Sequence, residues 1–153
     1  MKEEIERRSP MAFCNVGLSY LEAADQLAAR QLDKRDPFKL SFDLPILHLY
    51  AHAWELVQKA CLRQHGMSAD ELKLKVGHRL TKGWDLIDKE RFAALCLTPD
   101  IRPIVEALDW YHPTKLFAYP YTGSRREIDL AKLTEVSKRL HLSRADRSRL
   151  FSL

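Results

Sequence analysis

His48, His52, Glu55 and Lys59 follow one another at spacings of four, three and four residues. At 3.6 residues per turn those spacings stack the four side chains into one stripe along a helix. The stretch that carries them, HLYAHAWELVQKACLRQHG, is otherwise apolar almost all the way round, as a buried helix is. Imidazole, carboxylate and ammonium on one line invite three kinds of chemistry.

The first is structural. Glu55 and Lys59 form an i, i+4 pair in the favourable order, and neutral histidines satisfy nearby acceptors, so the stripe is a hydrogen-bonded seam that sets helix pairing or a dimer contact. The second is an anion site. His78 follows a glycine and Arg79 follows His78, while Arg63 lies one further turn along the striped helix. Imidazole changes charge near neutral pH, as general acid–base work on a phosphodiester requires. His78 and His52 are then the candidate catalytic groups, with Glu55, Lys59, Arg63 and Arg79 in substrate binding. The third is a metal held by His48, His52 and Glu55 from one helix. Neither Glu-x-x-His nor His-Glu-x-x-His occurs, so no metal and no cofactor is expected.

The elements that position these residues read as helices throughout. Ser9-Pro10 is a helix start, with Ser as N-cap and Pro in the first turn, and the helix runs to about Gln31 with Phe13, Val16, Tyr20, Leu21, Ala24, Leu27 and Ala28 as its apolar side. A charged loop broken by Pro37 follows. Asp43 is read as the cap of the striped helix, which Gly66 ends. Ser68-x-x-Glu71 is a capping box for a short helix reaching Val76, and Gly77 breaks it. Arg79 to about Cys96 reads as a further helical region, and Thr98-Pro99-Asp100 opens another that Pro113 stops. Residues 116–127, LFAYPYTGSRRE, look extended. Ser124-x-x-Glu127 then caps a helix carrying Ile128, Leu133, Val136 and Leu140. The expected fold is an all-α antiparallel bundle of four or five main helices.

With 153 residues and no dividing linker, the chain is read as a single helical domain over 1–153, its first eight residues frayed and residues 143–153 a basic tail with a helical turn or two. The formal charge of +4 is uneven: from Arg125 onward eight basic residues face four acidic ones, and the rest of the chain sums to zero. Such a segment attracts phosphates by counterion release. Cys14, Cys61 and Cys96, odd in number and set among apolar neighbours, read as small core side chains in a reducing compartment. With neither a leader pattern nor an 18-residue apolar run, the expected location is the cytoplasm, without membrane contact.

One set of residues is more specific. A proline-led helix holds His52-Ala53-Trp54-Glu55-Leu56 and Lys59, then come Gly66 and Gly77-His78-Arg79-Leu80, and later Tyr119-Pro120-Tyr121. This resembles the HEPN superfamily, the higher eukaryotes and prokaryotes nucleotide-binding helical bundles, in particular its bacterial branch encoded near defence and toxin–antitoxin loci. The resemblance spans about half the chain. It implies a homodimeric bundle that binds RNA or a nucleotide, with an antitoxin or other protein partner, acting as a toxin or defence-associated accessory. Many members are metal-independent ribonucleases with an Arg-x(4–6)-His signature. Here no histidine has an arginine at that offset; lysines stand instead, Lys59 before His65 and Lys73 before His78. Lysine lacks the two-donor fork that arginine presents to phosphate. The expectation is therefore lost or weak ribonuclease activity, and the rival reading is a non-catalytic protein-interaction or dimerisation module.

Overall fold

A computed structural model of the chain describes residues 9–33, 42–112 and 128–152. Among these residues there are helices and no strands. The helices are α1 (Pro10–Leu32), α2 (Asp43–Gln64), α3 (Ala69–Glu71), α4 (Leu80–Leu86), α5 (Arg102–Tyr111), α6 (Leu130–Ser137) and α7 (Arg144–Phe151). The all-α reading therefore holds. No described helix is long and apolar enough to cross a membrane. The extended segment with Tyr119-Pro120-Tyr121, the Ser124–Glu127 capping box, the Pro113 stop and the first eight residues lie outside the described residues.

The helix α2 is the axis of the bundle. It packs principally against α1 and also meets α4, α5, α6 and α7. Ile46, Leu47, Tyr50, Ala51, Ala53, Trp54, Val57, Ala60, Cys61 and Leu62 are all buried, which covers nearly its whole circumference. Burial of this many large side chains is the main stabilising term of the fold. Polar side chains of α2 tie it to α6: the indole Nε1 of Trp54 donates to Ser137 Oγ at 3.0 Å, and the Tyr50 hydroxyl reaches Thr134 and Asp25 of α1.

Ser9 caps α1 through the amide of Ala12, and Pro10 stands in its first turn, as its sequence requires. Its buried face is Cys14, Gly17, Leu21, Ala24 and Ala28, so Val16, expected inside, is 49% exposed. Gly17 decides this rotation. A Cβ there would stand 3.1 Å from Leu56 Cβ and 3.3 Å from the Ala53 carbonyl, so the two long helices touch backbone to backbone at this point.

Three other expectations shift. Asp43 is the first residue of α2, and Phe42 precedes it without a side-chain cap. The region after Arg79 is not one helix: α4 stops at Leu86, because the Asp88 carboxylate takes the amides of Glu90 and Arg91 and offers that backbone a turn. Of the three cysteines, Cys14 and Cys61 are buried, but Cys96 is exposed in a left-handed conformation that ends a short 3₁₀ turn. The basic tail forms α7, capped by Ser143, and docks through Phe151, whose ring stacks on Phe92 with centroids 6.1 Å apart.

Candidate functional site

Glu55 lies at the centre of the striped helix and is 3% exposed. A buried carboxylate is stable only if its oxygens are engaged by charge or hydrogen bonds. Both are. Lys59, one turn on, donates from Nζ to Oε1 at 2.5 Å. His78 Nδ1 stands 3.0 Å from the same oxygen. On the other oxygen, His112 Nε2 makes a very short hydrogen bond to Oε2, and His52 Nδ1 lies 3.7 Å away.

Three separate pieces of chain deliver these groups. His52 and Lys59 come with Glu55 from helical periodicity alone. His78 is brought back by the turn at Gly77, whose φ of 58° suits glycine and whose amide closes on the Leu72 carbonyl at 2.9 Å. That turn ends a π-helical stretch, Leu72–Val76, continuing from the α3 capping box of Ser68 and Glu71. His112 follows the last turn of α5. Tyr20 of α1 packs edge-on against the His52 ring, with centroids 4.6 Å apart.

The electrostatics follow from this arrangement. Burial pushes the Glu55 pKa up, but hydrogen bonds from His112 and Lys59 outweigh it and hold the carboxyl down at about 2. Glu55 is therefore an anion that can only accept. His112 must then carry its proton on Nε2, and His78 its proton on Nδ1. Burial lowers the pKa of His52 and of His48, against the raising pull of Glu55, so both are held toward the neutral form. The four imidazoles of His48, His52, His78 and His112 form one cluster with neighbouring ring centroids 5.7–6.3 Å apart.

Of the residues singled out by spacing, His52, Glu55, Lys59 and His78 converge. Arg63 and Arg79 are engaged elsewhere: Arg63 Nη1 bonds the Met67 carbonyl at 2.7 Å beyond the end of α2, and Arg79 pairs with buried Asp109 at 3.1 Å. His112 was missed. Its only sequence signal is its place directly before Pro113 at a helix end, and nothing local connects it with Glu55.

A cleft of about 280 Å³ opens beside His78, lined by Phe13, Lys59, Ala69, Asp70, Leu72, Lys73 and Gly77. His78 is at its mouth with a side chain 70% exposed, while one ring nitrogen stays on Glu55. The Lys73–His78 pair, noted for its offset, thus shares one cleft. Lys73 draws an anion to it, against the carboxylate of Asp70 and with Lys59 held on Glu55, and the imidazole edge suits a proton transfer. No family model, no curated protein and no solved structure matches this chain.

Proposed function

We propose that this chain is an HEPN-like protein of the cytoplasm that binds RNA or a nucleotide in the cleft beside His78. The observation that carries the reading is the hydrogen bond between His78 Nδ1 and the buried, ionised Glu55. A carboxylate that accepts the Nδ1–H hydrogen bond fixes the tautomer with the lone pair on the far ring nitrogen, at the exposed edge of the ring. That nitrogen accepts a hydrogen bond or a proton from a ribose hydroxyl, while Lys59 and Lys73 attract the neighbouring phosphate. Glu55 and His52 act behind His78 as its support.

Lysines in place of the missing arginine favour binding over fast turnover, since a point charge does not grip phosphate in two places. The chemistry accessible to the site is metal-independent cleavage by the internal 2′-hydroxyl, with His78 as base. The test is fluorescence anisotropy with a labelled single-stranded RNA and with a nucleoside monophosphate, alongside a cleavage assay of the same RNA. The wild type should bind, and His78→Ala and Lys73→Ala should each weaken binding about tenfold, the lysine change lowering the salt slope by about 1. Absence of wild-type binding to either probe would overturn the reading.

A second reading, a non-catalytic homodimerisation or antitoxin-docking module, is favoured by two exposed apolar side chains close in sequence to residues that line the cleft. Leu74, next to Lys73, is 82% exposed, and Val16, one turn from Phe13, is 49% exposed. Exposed apolar groups beside a cleft are suited to a partner's surface. Light scattering of the wild type beside Leu74→Asp and Val16→Asp distinguishes it: a dimer that dissociates in these variants, with no RNA binding by the wild type, replaces the first reading with this one.

A further inference from the structure

We propose that His52, Glu55 and His112 form a binding site for a divalent transition-metal ion, zinc by preference. One ligand atom from each of the three residues lies within 4.8 Å of the other two, in a pocket where Glu55 and the His112 side chain are almost fully enclosed. Two imidazole nitrogens and a carboxylate oxygen are a borderline donor set that suits zinc, cobalt or nickel over calcium or magnesium.

One donor separation is already near what such an ion needs, and the other requires His112 to draw back from Oε2. At bond lengths of roughly 2.0–2.1 Å, two donors on a tetrahedral zinc stand about 3.4 Å apart. His52 Nδ1 is 3.7 Å from Glu55 Oε2. The His52 and His112 rings, 5.7 Å between centroids and inclined at 60°, are close to the separation of two imidazoles sharing one ion. In the protein without metal His112 Nε2 donates to Oε2; binding an ion between the two requires that proton to leave, to Nδ1 or to solvent, so that Nε2 offers its lone pair.

A second observation points to a ligand. His52 Nδ1 is buried and has no hydrogen-bond partner, and it is aimed at Oε2. A polar atom sealed from water without a partner is costly, and each such atom calls for an explanation. A metal bond supplies one.

The remaining oxygen of Glu55 completes the logic. Lys59 and His78 both engage Oε1, so they hold the carboxylate with Oε2 turned toward the two imidazoles, as outer-shell hydrogen bonds do around metal-binding carboxylates. Two ligands come from α2 and the third from the end of α5, so the ion clamps α5 to the central helix. The cleft beside His78 is served by the other oxygen, so the two sites share Glu55 but either can be filled with the other empty.

The experiment uses the full chain, freed of metal by chelator and returned to chelator-free buffer. Titration with ZnCl2 by calorimetry should show one ion per chain, and CoCl2 should give the intense visible absorption of a four- or five-coordinate cobalt ion. Zinc at a hundred times its Kd should raise the Tm by about 5–10 °C. His52→Ala and His112→Gln should each weaken zinc binding by more than the roughly 10–100-fold that outer-shell partners cost. His65→Ala, remote from the cluster, should bind as the wild type does. His78→Ala should retain the ion while binding RNA or nucleotide about tenfold more weakly, which separates failure of this proposal from failure of the cleft reading. Should either ligand variant fail to fold by circular dichroism, the wild-type cobalt spectrum and Tm shift decide alone. A wild type without that spectrum, or folded ligand variants that bind zinc as well as it does, would overturn the proposal.

Discussion

Glu55 and His112, 57 residues apart in the chain, share the tightest contact of the histidine cluster, made from the carboxylate oxygen that Lys59 does not use. One buried charge thus organises two helices and a turn. It also sets what happens when any one partner is removed.

Glu55→Gln is expected to lower stability by about 3 kcal/mol, because Lys59, 14% exposed, becomes a nearly buried cation with no counter-charge. Replacing both groups, Glu55→Gln with Lys59→Met, should recover a large part of that loss, since no unpaired charge then remains. Urea denaturation of the four proteins of this cycle measures it. A double variant whose loss equals the sum of the two single losses would show that the ion pair contributes nothing.

Stability should fall with acid in two stages. The His52 and His48 pKa values are lowered in the fold, so the unfolded chain takes up protons first, and their contribution is complete above the ordinary value of 6.5 and declines below it. Glu55, held at about 2 against an ordinary 4.5, contributes fully above 4.5 and loses its contribution as pH falls through about 2. Urea midpoints between pH 8 and pH 2 test both stages, and Glu55→Gln should reduce the lower one while His52→Gln reduces the upper.

Asp109 acts at a distance on His78. It is buried, and its carboxylate accepts from the Leu80 amide at 2.6 Å, the Thr81 hydroxyl at 2.7 Å and Arg79 Nε at 3.1 Å, so it caps α4 from α5. Asp109→Ala should cost about 2 kcal/mol and speed hydrogen exchange in Leu80–Leu86, next to the turn that carries His78. Unchanged exchange in that helix would show that α4 does not depend on this cap.

The C-terminal helix is part of the core. Phe151 is 1% exposed and stacks on Phe92, so Phe151→Ala should destabilise the whole bundle by about 3–4 kcal/mol, with no separate early transition. A two-step thermal melt in which α7 detaches first would contradict this.

Much of the molecule could be read along the chain, because the signals are local. Ser9-Pro10, the Ser68–Glu71 box and the two turn glycines mark helix ends through backbone hydrogen bonds that involve only near neighbours. The line from His48 to Lys59 follows from helical periodicity by itself. Where another local interaction competes, as the Asp88 side chain does after α4, periodicity overran the true end.

What periodicity within single helices leaves open is which helices meet and at what rotation. Gly17 turned α1 until Val16 faced outward, a matter of how closely two backbones approach. The guanidinium groups of Arg63 and Arg79 went to the Met67 carbonyl and to Asp109, the acceptors that packing placed nearest. His112 reached Glu55 only because α5 ends beside the middle of α2, and a contact between residues 57 positions apart leaves no mark on the residues around either one. Sequence alone determined the helices and the charged stripe; the tertiary structure decided which imidazoles would share its carboxylate, because burial forces an anion to find partners wherever in the chain they lie.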